Sequence, residues 1–236
     1  MIATVNSPST RLPSFRKVRD LRRVERRVAA VVLLIPGIAA ALSRLFTTDD
    51  SDARKALDLV AADPGRQFTL ALLGYIAMLT MVPAFLAAAR LARRRRPLLT
   101  MIALGVNLIA YLSAWAVPAL DTMYLAGSRL PVEQRDGAAA LIDAMWSEGL
   151  TGTSTMIMVI GQLLGAILMG LALRGSIPTV GWVAMILSQP IHILAFALNV
   201  FDPAALAWGL TALAFACCAV TVLRTPDGEW DLPPRS

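Results

Sequence analysis

Residues 84–105 read AFLAAARLARRRRPLLTMIALG: an apolar run, five arginines, and a second apolar run. The runs extend outward, from about Gln67 to Ala89 on one side and from about Leu98 to Ala119 on the other. Each is close to the roughly 20 apolar residues that a helix needs to cross the hydrocarbon core of a bilayer. The arginines between them suit a membrane surface, and loops rich in Lys and Arg stay on the cytoplasmic side. The stretch therefore predicts a transmembrane hairpin with its turn inside.

The same pattern continues along the 236 residues, of which 57% are hydrophobic and only 16% charged. A soluble chain carries about 25% charged residues. Further spans are expected over about 28–46, 153–173, 179–200 and 204–223, alongside 67–89 and 98–119. The predicted fold is an all-α integral membrane bundle of about six transmembrane helices, occupying 28–223. No alternating ten-residue pattern of a membrane β-barrel is present. Residues 1–27 form a basic cytoplasmic tail, and 224–236 a second cytoplasmic tail, read as disordered. A cleavable signal is the rival reading of the first span. The long basic leader and the uncharged run through Ser43 favour retention.

Charge sets the orientation. With both termini inside, the cytoplasmic segments hold 16 basic and five acidic residues. The outer ones hold five basic and eleven acidic residues. The reverse orientation breaks the positive-inside rule, so a multi-pass protein of the cytoplasmic (inner) membrane is expected. The net charge of +6 then has a membrane explanation, and nucleic acid is not an expected partner. Anionic lipids are expected at Arg16–Arg27 and Arg93–Arg96, where each cation contributes about 1 kcal/mol.

Between the spans, residues 47–66 form an acidic outer loop. The longer loop 120–150 contains an amphipathic helix over Val132–Ser147, with Leu141, Met145 and Trp146 available to a membrane surface. The sequence GLTGTS at 149–154 reads as a helix entry capped by Thr151 or Thr153. Gly161 and Gly165 fit the small-xxx-small pattern of close helix approach, within the chain or with a homo-oligomeric or membrane partner.

Three stretches taken in order carry a resemblance: ALDLVAADPGRQFTLALLGY at 56–75, VPAFLAAARLARRRRP at 82–97, and LLTMIALG at 98–105. With a long outer loop before a glycine-rich fourth span, the chain resembles a broad, functionally uncharacterised family of multi-helix membrane proteins of high-GC Gram-positive bacteria. The likeness covers most of 28–223. It implies the bundle of about six spans and no activity, cofactor or site.

Candidate functional residues are polar groups at membrane depth, which are costly there and often functional. His192 is the only histidine. Gln189 and Asn199 share its helical face, and Asn107 and Gln162 lie near mid-depth on other spans. One reading is a transport or ligand cavity centred on His192; the other is amides and imidazole bonding helices together, at about 0.6 kcal/mol per bond. A second set, Asp121, Asp143, Glu148 and Asp202, lies on the outer face. These carboxylates are either a catalytic or cation-binding group or a hydrated surface. No HExxH, GxSxG, Walker or CxxC motif is present. Adjacent Cys217 and Cys218 give neither a disulfide framework nor a zinc site. No cofactor or metal is expected, and a bis-histidine haem would need a second histidine. The leading function is a non-enzymatic structural or accessory component of the cell envelope. A small transporter or solute-binding bundle is the first alternative, and a membrane-embedded enzyme using the outer carboxylates is the second.

Overall fold

The computed structural model describes residues 21–46, 52–198 and 202–230. Among them there is no strand, and ten helices follow one another: α1 (Arg22–Arg44), α2 (Ala53–Ala62), α3 (Pro64–Ala92), α4 (Pro97–Ser113), α5 (Ala116–Ser128), α6 (Arg135–Ser147), α7 (Gly149–Leu173), α8 (Thr179–Ala197), α9 (Asp202–Arg224) and α10 (Asp227–Trp230). A single 3-10 turn, Val132–Gln134, leads into α6.

Five stretches are long and apolar enough to cross a membrane: Arg22–Arg44, Pro64–Ala92, Pro97–Ser128, Gly149–Leu173 and Ala204–Arg224. Thr179–Ala195 is apolar but shorter. The six principal helices close a ring in which α1 packs on α3 and α9, α8 on α9 and α7, and α4 on α7 and α3. Small side chains let these helices approach closely. Ala77, Ala84, Ala88, Ala103, Ala110, Ala166, Ala172, Ala184 and Ala214 are all buried, around the larger Met81, Phe85, Met169, Met185 and Phe215. Phe85 sits between Tyr111 and Phe215, each with ring centroids 5.3 Å away. Leu79, Met101, Ile109, Leu194 and Leu206 face outward, as expected where lipid is the solvent.

The structure revises several boundaries. Residues 47–66, expected as a loop, contain α2 over Ala53–Ala62 and the first turn of α3. Asp52 caps α2 by accepting from the backbone N–H groups of Arg54 and Lys55. Ala53, Ala56, Leu57 and Val60 then form a buried stripe at helical spacing. The aspartates around that stripe give the segment its loop-like composition. The third span, expected to end at 119, breaks after Ser113 and resumes as α5, reaching Ser128. Glu148, not Thr151 or Thr153, caps α7, its carboxylate accepting from the backbone N–H of Leu150 at 2.7 Å. The tail past Arg224 is ordered through α10, and Trp230 is buried.

The amphipathic element is present as α6. Its Leu141 and Trp146 are exposed, and its Ala139 and Ile142 pack with Ala53 and Leu57 of α2 in a second, small core. Ion pairs complete this cap. Arg54 pairs with Asp58 at 2.5 Å and with Asp136 at 2.6 Å, and Arg135 pairs with Asp58 at 2.9 Å. The hydrogen bonds from Arg135 and Arg54 hold the Asp58 carboxyl below the usual carboxylate range. Those to Asp58 and Asp136 raise the Arg54 guanidinium above its ordinary value.

Candidate functional site

Of the five polar residues expected near one centre, Asn107 and His192 bond across different pairs of helices. Asn107, on α4, donates from Nδ2 to the carbonyls of Ala103 at 2.8 Å and of Gly165 on α7 at 2.9 Å. Its Oδ1 is buried without a hydrogen-bond partner. Gln162 is buried on α7, and Gln189 is buried on α8 with Oε1 unpartnered. His192 Nε2 accepts a hydrogen bond from Trp208 Nε1 at 3.3 Å, the two rings meeting edge to face at 5.3 Å. That bond joins α8 to α9. Asn199 lies outside the described residues.

The outer carboxylates come from separate elements of the fold. Asp143 is exposed on α6, and Glu148 is the α7 cap. Asp202 begins α9, and its side chain lies outside the described residues. Asp121 alone enters a cleft. It is carried there because α5 continues the third span past Ala119, and Gln67 of α3 anchors it by donating from Nε2 to its carbonyl at 3.0 Å. The cleft has a volume of about 100 Å³, and Ser43, Arg44, Gly74, Pro118, Asp121 and Trp208 are among its walls. A Cβ on Gly74 would come 3.9 Å from Asp121 Oδ2, so the missing side chain keeps this space open. Among the described residues, no hydrogen-bond donor reaches the Asp121 carboxylate.

Two residues of this cleft come from other spans. Arg44 ends α1 and lines the same cleft as Asp121. Trp208 of α9 walls the cleft and also donates from Nε1 to His192 Nε2. Only the distance between these segments in sequence hid the link, because nothing local in either span announces it.

Three other spaces exist. An inner cleft of about 220 Å³ lies among Leu91, Arg94, Arg95, Ser176, Thr225 and Glu229. An open groove between α1 and α9 includes Val31, Leu34, Ala216 and Val220. Another, between α4 and α7, includes Val106, Ile109, Met156, Ile160 and Gly161. None of these four spaces is lined by Asn107, Gln162, Gln189 or His192. Gly161 and Gly165 are used inside the chain: a Cβ on either would come within 2.7 Å of Ala110 or 2.5 Å of Asn107, respectively. Among the described residues, no group of three or more His, Cys, Asp or Glu side chains could hold a metal ion.

Fold and site define an all-α bundle of the integral-membrane class, with its polar side chains set at helix contacts and at two small clefts. Comparison with family models, with curated proteins and with solved structures gives no match.

Proposed function

We propose that this chain is a six-crossing protein of the cytoplasmic membrane with both termini inside, acting as a structural or accessory component rather than as a transporter or an enzyme. The sixth crossing is α8, whose 19 residues span roughly 28 Å at 1.5 Å per residue, close to the thickness of the hydrocarbon core. Its place in the closed ring supports that count. The arginine-rich end, with Arg93–Arg96 and Arg174, is the cytoplasmic end, and the α2–α6 cap is the outer one.

One observation carries the accessory reading. The buried Asn107 and the half-buried His192 are engaged in contacts between helices, and no described cleft reaches the mid-depth polar residues. A transporter needs a path for its solute past such groups. A paired-carboxylate enzyme needs two acids in one pocket, and the outer cleft is lined by Asp121 without Asp143 or Glu148.

A second reading has its own support. Asp121 is a carboxylate facing a cleft at the outer end with Arg44 in the opposite wall, an arrangement suited to a small polar solute. Substituted-cysteine labelling tests the accessory reading, in a background with Cys217 and Cys218 replaced by alanine. In intact cells, Leu141→Cys reacts with a membrane-impermeant maleimide and Arg93→Cys does not. Cysteines at Gln162 and Gln189 stay unreactive in the accessory reading. Labelling of both from outside would establish a water path through the bundle and end it.

A further inference from the structure

We propose that the inner cleft is a binding site for a phosphate group, formed by Arg94, Arg95 and Ser176, and that Glu229 of the C-terminal helix covers it until the phosphate displaces it. The inference goes beyond the accessory reading and does not depend on it.

Three separated segments supply the charged and unpaired groups of the cleft, and the end of α9 adds Thr221 and Thr225 to its wall. Arg94 and Arg95 come from the α3–α4 turn, Ser176 from the α7–α8 turn, and Glu229 from α10. The second turn is shaped for the first. Gly175 has φ +82°, a conformation that side chains rarely adopt, and a Cβ there would stand 2.9 Å from Arg95 Nη1. Glycine lets the Arg95 guanidinium lie against that turn, beside Ser176.

The donors here exceed the acceptors. Arg94 Nη1 meets Glu229 Oε2 at 3.5 Å, longer than the usual ~2.7–2.9 Å of a charge-assisted hydrogen bond. Arg94 Nη2 and Ser176 Oγ are buried with no hydrogen-bond partner. Burying polar groups unpaired is unfavourable, so a ligand that supplies their missing acceptors gains on binding. Two arginines against one glutamate also leave the cleft with a net positive charge.

A single carboxylate from α10 meets only part of this demand. A phosphate monoester carries roughly −1.5 to −2 charge and three strong acceptor oxygens, and its geometry matches the fork of a guanidinium. Glu229 adjoins Trp230, which is buried beneath Arg90 at 4.6 Å with its Nε1 unpartnered. Losing the Arg94–Glu229 contact removes one of the few ties that hold α10. The phosphate could belong to a lipid headgroup or be free in solution, and the shared chemistry is the same.

The test uses the full-length chain in nanodiscs. Hydrogen exchange of the amides of 227–230 reports whether α10 is docked. One arm adds inorganic phosphate to phosphatidylcholine discs, with chloride at matched ionic strength as control. The other arm replaces part of the phosphatidylcholine by phosphatidic acid. A rise in exchange of about tenfold, as expected for loss of local protection, supports the site in either arm. Response to inorganic phosphate assigns a free ligand, and response to phosphatidic acid alone assigns the headgroup. No response in either arm overturns the proposal. Arg94→Gln abolishes the response. Ser176→Ala keeps the melting temperature in plain discs and raises the half-saturating concentration several-fold. Glu229→Gln, with the competing carboxylate gone, raises basal exchange and lowers that concentration about tenfold, within the range for a charged contact. If Ser176→Ala and Glu229→Gln both respond as the unmodified chain does, the phosphate sits elsewhere and the assignment fails.

Discussion

Asn107 holds α4 against α7 by donating to the carbonyl of Gly165 at 2.9 Å, at a place where Gly165 has no room for a side chain. A Cβ at 165 would stand 2.5 Å from Asn107 Oδ1. The bond and the bare backbone are one device: the amide reaches the opposing carbonyl only because the helices are this close.

Gly165→Ala should therefore cost about 1–3 kcal/mol, the usual penalty of overpacking. Asn107→Ala alone should cost less, about 0.6–1.7 kcal/mol, because membrane hydrogen bonds between helices are modest. In the double variant the new Cβ no longer meets the amide, so its cost should fall below the sum by about 0.5 kcal/mol or more. Reversible unfolding in mixed micelles measures all three. Strict additivity would show that the two residues do not share a contact.

Gly37 and Gly105 make a matched pair of glycines in helices. A Cβ on Gly37 of α1 would lie 2.5 Å from the Ala212 Cα on α9, which is backbone and cannot turn aside. Nothing lies within 4 Å of a Cβ on Gly105. Gly37→Ala should destabilise the bundle by about 1–3 kcal/mol or more as α1 and α9 are forced apart. Gly105→Ala should stabilise it by about 0.5–1 kcal/mol, the helix-propensity gain alone. Equal effects in the same unfolding assay would mean that α1 and α9 are not in this register.

The spans were legible because hydropathy is summed residue by residue along a stretch and needs no knowledge of partners. What failed in the sequence depended on neighbours. Ala53, Ala56, Leu57 and Val60 form a helical stripe, but they sit among aspartates whose average reads as a loop. The third apolar run ends at Ala119, which leaves Asp121 two residues into a polar stretch, whereas α5 carries the helix on to Ser128. His192 stands out in the sequence as the one histidine of an apolar run, yet its partner is Trp208, and no pattern inside α8 points to α9. The tail past Arg224 looked like prolines and acids. Its order comes from Arg90 stacking on Trp230 and from Arg94 meeting Glu229, contributed by α3 and the turn after it more than 130 residues earlier.

The outer cap should loosen in acid. Asp58 accepts from Arg135 and Arg54, which depresses its folded pKa below the ordinary value of 3.8. A depressed carboxylate contributes stability that is complete above its unfolded pKa and is lost as pH falls through the folded one. Arg54, raised by the same bonds, stays protonated throughout and adds no titration of its own. Hydrogen exchange of the α6 amides, corrected for intrinsic rate, should therefore hold steady from neutral pH to about pH 4 and speed up below it. Asp58→Asn should show the faster exchange already at neutral pH, with a weaker dependence in acid. Identical acid profiles for the variant and the unmodified chain would remove Asp58 from the cap.

Asp121 poses a different case, a carboxylate that faces an open cleft with Arg44 among its walls. Its carboxylate has no hydrogen bond from the described residues, and Gly74 leaves the space before it open where an alanine would begin to fill it. With no hydrogen bond to lose, removal of the charge takes little from the packing of the bundle. Asp121→Asn should consequently leave the bundle as stable as before or raise its stability by about 0.5–2 kcal/mol, the pattern of a group kept for use rather than for folding. Gly74→Leu should fill the cleft while leaving the ring of helices intact. If the cleft holds a solute, both variants lose whatever co-purifies with the unmodified protein in native-like lipid, detected by mass spectrometry. A fall in stability for Asp121→Asn, with nothing lost from the bound fraction, would make Asp121 a structural residue and remove the support for the solute-binding reading.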